Sequence, residues 1–168
     1  MLTGMIPCVV LHYGILSRYL DNAVLSRTNT VQTQVKIIAD HLITYNYMLD
    51  SSSDVVNAEL SQLSNLYDGR VLVIDGNLKI IKDTYAISEG KTIISEAIIK
   101  CFKGGGASNL FNETGYIEII VPIEEKLEDK TRVAGVMLTS VSTDSIMSGY
   151  EYIQSSAFLL EIVAMVVV

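Results

Sequence analysis

Apolar side chains recur at alternating steps of four and three residues in the N-terminal third of the chain. This spacing gives a period of about 3.5 residues, which indicates a helix with one apolar face. We call this set the N-terminal seam: Val24, Thr28, Val31, Val35, Ile38, Leu42, Tyr45 and Leu49. The pattern predicts a long helix over residues 21–49. Its seam is interpreted either as a homodimer contact or as an ordinary core face, and we favour the homodimer.

A second apolar seam lies near the C-terminus. The helix that carries it is predicted to begin at Ser142 or Thr143, and it leads into an apolar tail without a change of phase. Its members are Ile146, Tyr150, Ile153, Ala157, Leu160 and Ala164. The pattern predicts a signal exit helix over 143–168, in which Ile146, Tyr150 and Ile153 would transmit a movement.

The region between these helices has the patterns of strands and turns. A serine-rich cap at 51–54 precedes a predicted helix over 55–67. Runs of β-branched residues predict five strands and an inserted helix at 92–102, with a solvated turn at 124–130. The strands are predicted at 70–74, 78–82, 109–111, 116–123 and 132–140. The expected fold class is therefore α+β, with a five-stranded antiparallel sheet and the long N-terminal helix packed behind it.

Both ends of the chain are unusually apolar. Residues 1–17 contain no Asp, Glu, Lys or Arg, and the only such side chain in residues 157–168 is Glu161. Each run is shorter than the roughly 20 residues that cross a bilayer. They are interpreted either as buried helices of a soluble fold or as parts of two transmembrane helices. We favour the second interpretation: the end of a first transmembrane helix at 1–20, an extracytoplasmic domain at 21–142 and an approach to a second at 143–168.

Charge and composition exclude several functions. The 168-residue chain has 19 acidic and 12 basic side chains, a net charge of −7 and a mean hydropathy of +0.38. Without a basic patch, such a chain is a poor nucleic-acid binder. Its two cysteines show no metal-ligand spacing, and the glycines at 104–106 follow a helix, unlike a phosphate loop. We expect no metal, no cofactor and no catalysis by this chain.

Three stretches resemble a known family. Asp68–Asp75, Leu78–Thr84 and Gly135–Ser140 look like the extracytoplasmic PAS-like (single Cache, or PDC) sensor domains of bacterial membrane histidine kinases. In that family two strands open the sheet, the second ending in Asp-Ser or Asp-Thr, and a strand with an internal glycine closes it. The resemblance implies a membrane-anchored homodimer through the N-terminal helix, a ligand cleft on the opposite sheet face and a kinase beyond residue 168.

Four polar side chains are predicted to contact a small polar ligand in this cleft. Asp83 and Tyr85 leave the second strand, Tyr116 begins a later strand and Arg132 begins the last one. A carboxylate, two phenols and a guanidinium would orient such a ligand in an apolar pocket. The ligand is alternatively a protein partner. Two other functions stay open: the input domain of a chemoreceptor or membrane cyclase, and a soluble interaction module of profilin-like or longin-like type.

Overall fold

A computed structural model describes residues 2–112, 115–127 and 130–167, and the side chains from residue 14 to residue 158 with short gaps. Its described elements form an α+β fold with a five-stranded antiparallel sheet, which confirms that predicted class. The elements are α1 (Leu2–Thr44), α2 (Asp54–Leu66), β1 (Arg70–Asp75), β2 (Ile80–Asp83), α3 (Glu96–Lys100), β3 (Ser108–Asn112), β4 (Tyr116–Leu127), β5 (Lys130–Ser142) and α4 (Asp144–Val167). A π-helical turn, Cys101–Gly105, follows α3.

The chain forms two compact units. One unit consists of Thr28–Ser142 and contains the sheet, and the other consists of Met1–Arg27 with Thr143–Val168. Within the second unit, Nη2 of Arg27 donates a hydrogen bond of 3.1 Å to the hydroxyl of Ser145. The N-terminal part of α1 and α4 therefore belong to one helical unit.

The strand order in the sheet is β2–β1–β5–β4–β3, and each neighbouring pair is antiparallel. One face lies against α1 and α2, where Val31, Val35 and Leu42 of α1 are completely buried. The opposite face is covered by α3 and the π-turn. Its apolar cluster contains Leu72, Ile74, Ile80, Ile98, Cys101, Ile120, Val136 and Leu138. Alternate residues of each strand thus contribute to two separate cores.

The interpretation of the N-terminal seam as a dimer contact needs correction. Within a single chain, Thr28, Val31, Val35, Ile38 and Leu42 are all at least nine-tenths buried. These side chains are core residues of the sheet unit, so they are not available to a second copy. The remaining members differ: Val24 is half-buried, whereas Tyr45 and Leu49 lie beyond the end of α1 and are 48% and 91% exposed.

The predicted helix end at residue 49 is wrong, because α1 stops at Thr44. Asn46 adopts a left-handed backbone with φ of 51°. The amide of Tyr47 then donates to the carbonyl of Leu42 at 2.8 Å, and that of Asn46 donates to Ile43 at 3.0 Å. These two bonds form a Schellman motif, which satisfies the last carbonyls of the helix. Tyr47 is buried there, and burial raises its pKa to about 12.

Two other predicted elements have different bounds. The inserted helix was predicted from residue 92, but the amide of Ile93 donates to the carbonyl of Leu78 at 2.9 Å, so this segment pairs with strand β2 and its turn. Helix α3 begins only at Glu96. The predicted turn at 124–130 is mostly strand, because β4 and β5 stay paired out to Leu127 and Lys130.

The helices at the two ends differ from the predicted transmembrane segments. Among the described residues, none of the helices combines the length and the hydropathy that crossing a bilayer requires. The transmembrane parts expected at 1–20 and 143–168 are therefore not shown. In the exit helix, Ile146 is buried and both Tyr150 and Ile153 are half-buried. The later seam members at 157, 160 and 164 lie outside the described side chains.

Candidate functional site

The side chain of Asp83 at the end of β2 is the centre of a polar cluster. Its carboxylate is buried, although Arg70 beside it is 28% exposed. Arg70 lies on the neighbouring strand β1 and donates from Nε to Oδ1 at 2.9 Å and from Nη2 to Oδ2 at 2.5 Å. This bidentate geometry is the strongest arrangement of an arginine and a carboxylate.

Three backbone amides of the following loop also donate to Asp83. They belong to Tyr85 at 3.0 Å, Ile87 at 3.0 Å and Ser88 at 2.8 Å. Between them, Ala86 has a left-handed backbone with φ of 54°. A carboxylate has about four lone-pair sites, so these five donors use its full capacity. The loop therefore wraps around a single buried anion.

The pKa of Asp83 is held far below its usual range. The main cause is the hydrogen bond from Arg70, and the backbone amides add to it, while burial opposes the shift. Asp83 therefore stays ionised and has no free lone pair with which to accept a proton. These properties make it an organiser of the loop and exclude it as a general base.

The surface of this cluster offers a smaller set of groups. Nη2 of Arg70 also donates to the hydroxyl of Ser88 at 3.0 Å, and the guanidinium lies 5.7 Å from the ring centre of Tyr85. Tyr85 is 49% exposed. An ion pair of 3.2 Å joins Lys82 to Glu89 at the rim of the same loop. A ligand at this surface would contact Tyr85 and the outer side of Arg70, and Asp83 would act only through the loop.

The other two predicted ligand residues lie elsewhere. Tyr116 is opposite Ser142 at one end of the β4–β5 pair, whereas Arg132 is opposite Glu125 near the other end. Ten residues of β5 separate these positions, or about 33 Å along an extended strand. Arg132 forms an exposed ion pair with Glu125 at 2.9 Å. The structure thus brings Asp83 and Tyr85 together and does not bring Tyr116 and Arg132 to them.

Sequence reasoning missed Arg70, which it treated only as the start of a strand. Asp83 is opposite Leu72 in the sheet, so Arg70 is its diagonal neighbour across the β1–β2 hairpin. Diagonal pairs are within reach of long side chains. An arginine at the start of one hairpin strand and an aspartate at the end of the next were the available signal.

A second polar contact joins α1 and α2. Nδ1 of His41 lies 2.9 Å from Oε2 of Glu59, above a groove of about 220 Å³ with Ile37, Leu63 and Leu66 in its walls. The side chain of His41 is part-exposed. The contact ties the two helices together on the side away from the sheet core.

Comparisons with known proteins add no family to this geometry. No family model matches the chain, and no curated protein matches it at significant similarity. An antiparallel five-stranded sheet with helices on both faces occurs in proteins of unrelated function, so the fold alone identifies no activity. Within the described residues, no group of three or more metal-ligating side chains could hold a metal ion.

Proposed function

We propose that the chain is the extracytoplasmic signal-sensing input domain of a two-component sensor histidine kinase. In this proposal it is a homodimer anchored in the cell membrane through both termini. A small polar ligand or a protein partner shifts the sheet, and α4 transmits the shift to cytoplasmic kinase modules that are absent from this chain. No catalysis is assigned to the chain itself.

The main support is the arrangement of helices around the sheet. A five-stranded antiparallel sheet has the long helix α1 on one face and the short α3 with its π-turn on the other. This agrees with what the resemblance to PAS-like domains implies. The compact helical unit further combines the N-terminal part of α1 with α4. An input domain needs such a pair of helices to connect a sensor with an output.

The Asp83 cluster supports a route for the signal. Arg70 holds the Asp83 loop on one side, and on the other it is opposite Ser140 of β5. Strand β5 ends two residues later at Ser142, and α4 begins at Asp144. A ligand that binds the loop better in one of two packings would shift their populations by its differential affinity. We therefore assign the ligand contact to Tyr85 and the outer side of Arg70.

The alternatives differ in the module attached to the chain or in the surroundings of its terminal helices. The same input domain would suit a chemoreceptor or a membrane cyclase, because only the output module differs. A profilin-like or longin-like interaction module is a different class, in which the terminal helices pack within a soluble protein. Membrane association is the property that separates this class from the sensors.

A fractionation experiment tests the membrane part of the proposal. The full chain is expressed in bacteria, and the membranes are washed at alkaline pH. We expect the chain to remain in the membrane pellet and its central domain to be cut by a protease added from the periplasmic side. A chain that is recovered in the wash as a single species would favour the soluble module.

A thermal-shift screen tests the sensing part. The full chain in mild detergent is heated with a library of small polar compounds, and an active compound should raise the midpoint by several degrees. The variant Tyr85→Ala should reduce that shift, whereas the control variant Tyr152→Ala, in the exposed part of α4, should keep it. A shift that is equal in both variants would contradict the assignment to this loop.

A further inference from the structure

Strand β3 covers only part of the outer edge of β4. Their register begins with Asn112 opposite Tyr116 and ends with Ser108 opposite Ile120. Strand β4 continues to Leu127 and pairs with β5 along its whole length. The outer side of residues 121–127 therefore has no partner strand among the described residues. We call this segment the open edge.

The register shows which backbone groups face this edge. The amide of Ser142 donates to the carbonyl of Tyr67, on the β1 side, so even-numbered residues at this end of β5 face β1 and odd-numbered ones face β4. The partners of those odd residues on β4 are again odd, among them Val121. A register shift between Ile123 and Glu124 leaves residue 134 of β5 without a partner, so the extra residue lies on β5 and the alternation of β4 continues without a break. Successive residues of a strand point to opposite sides, so Pro122, Glu124 and Lys126 face outward.

Pro122 is compatible with this assignment, because proline has no amide hydrogen and is tolerated where its nitrogen points away from a ladder. The groups left for pairing are both the amide and the carbonyl of Glu124 and of Lys126. A groove of about 340 Å³ adjoins them, with Ala39 of α1 and Gly106 in its walls. Gly106 has φ of 68° and turns the chain away before it can extend β3 along this edge.

The side chains of the open edge are complementary to themselves. If two copies pair antiparallel about a two-fold axis at Glu125, Glu124 of each copy is opposite Lys126 of the other. Four backbone hydrogen bonds and two ion pairs form together, and Pro122 lies outside the paired segment. Within the described residues, neither Glu124 nor Lys126 has an ion-pair partner. Each chain therefore presents two unused charges of opposite sign in a symmetric order.

We propose that this edge binds a second copy of the same chain and joins the two sheets. The axis would place Glu125 opposite Glu125, and the ion pair of each with its own Arg132 offsets that repulsion. Leu127 is 53% exposed and would lie opposite Ile123 of the second copy, next to the groove. An isologous contact of this kind closes after two copies. The proposed function does not depend on this contact.

Charge variants of the full chain in mild detergent test the proposal by sedimentation equilibrium. Lys126→Glu puts acidic side chains on both sides of the pair, and Glu124→Lys puts basic ones there. We expect each to weaken self-association about tenfold or more, because two attractive contacts become repulsive. The double variant E124K/K126E restores opposite charges and should return to within about threefold of the natural chain. Lys91→Glu, with the same charge change at the other edge of the sheet, is the matched control.

Mixing the two single variants gives a second result. The basic E124K and acidic K126E chains should associate with each other more tightly than either associates with itself. A chain that stays monomeric, or a dimer that neither variant weakens, would overturn the proposal. In the second case the dimer uses another surface, and the proposed function would be unaffected.

Cross-linking tests the position of the axis. Residues 125 of the two copies would form a non-hydrogen-bonded pair with Cα atoms about 4.5 Å apart, which is within the range for a disulfide. In a Cys8→Ser background, Glu125→Cys should give a covalent dimer on mild oxidation, and Lys91→Cys should not. Equal cross-linking of both variants, or none with Glu125→Cys, would contradict this register.

Discussion

The two outer edges of the sheet are treated differently by the chain. Beyond β2, the chain returns and pairs with it: the amide of Ile80 donates to Lys91 at 2.9 Å, and that of Gly90 donates to Ile80 at 2.7 Å. Beyond Ile120 of β4, no described segment returns. One edge is therefore closed by local contacts of the same chain, and the other presents free backbone groups to solvent.

The difference follows from what each loop is bound to. The loop after β2 is held around the Asp83 carboxylate, which directs the chain back along the edge. The loop before β3 contains Gly104 and Gly106, both with positive φ and with open space where a side chain would be. The buried Asp83 carboxylate therefore fixes the loop after β2. The loop before β3 has no comparable anchor at Gly104 and Gly106, because no atom lies near the position of a side chain there.

The two ion pairs near these edges show the same contrast. Arg70 and Asp83 form a pair in which the carboxylate is completely buried. In the pair of Arg132 and Glu125, the side chains are 67% and 39% exposed. Exposed pairs contribute little because water screens them, whereas a buried charge that loses its partner is costly.

Removing the buried carboxylate should have the largest effect. Asp83→Ala leaves Arg70 and three loop amides without their acceptor, and we expect a loss of about 3–5 kcal/mol in the free energy of unfolding. Glu125→Ala at the exposed pair should cost at most about 0.5 kcal/mol. Urea unfolding of both variants measures the difference. Equal losses would show that burial does not distinguish the two pairs.

Lowering the pH should destabilise the folded chain through Asp83, which holds the loop at the closed edge. The pKa of Asp83 is lowered in the folded chain, so below its ordinary value of about 3.9 the unfolded chain binds a proton that the folded chain does not. The free energy of unfolding should therefore fall as the pH drops from about 5 to 2. Asp83→Asn should lose this part of the slope, although it is less stable at neutral pH. An unchanged slope in Asp83→Asn would assign the acid sensitivity to other carboxyl groups.

A glycine substitution tests the closed edge away from the carboxylate. Gly90 has φ of 81° and pairs with β2, so Gly90→Ala should cost about 1 kcal/mol. Gly76→Ala is the control, because its new methyl group would meet only ordinary contacts, the nearest at 3.7 Å from the Ala134 carbonyl. Thermal midpoints of the two variants give the comparison, and a larger loss in Gly76→Ala would contradict it.

Hydrogen exchange should detect the smallest difference between the edges. In the dilute chain, the amides of Glu124 and Lys126 should exchange faster than that of Gly90, which is bonded to β2. At high concentration, protection should appear at Glu124 and Lys126 if two copies pair there. Protection that is independent of concentration would mean that these amides do not face an open edge.

The fold was more predictable than its boundaries. Runs of β-branched residues in β1 and β5 and the capping serine before α2 were enough to predict those elements, because local chemistry determines them. The end of α1 depends on Asn46. This boundary could have been predicted from the sequence, because asparagine often adopts the left-handed conformation that ends a helix. The late start of α3 could not be predicted from the sequence, because a tertiary pairing of Ile93 with Leu78 overrides the local helical pattern.

The site was less predictable because it depends on partners. Residue types alone favoured Asp83 as a ligand contact, but the bonds it already makes are visible only once β1 and β2 are in register. The distance between Tyr116 and Arg132 likewise depends on the length of paired strand between them. The N-terminal seam showed a true periodicity, and only the structure shows that its neighbour is the chain's own sheet.

Cys101 can report local opening of α3 and the π-turn. It begins the π-turn and its thiol is buried in the apolar cluster against the sheet, where burial raises its pKa to about 11, so at neutral pH it is protonated and unreactive. An alkylating reagent can reach it only when α3 and the turn move off the sheet. The rate of alkylation at Cys101 therefore measures how often that face becomes accessible.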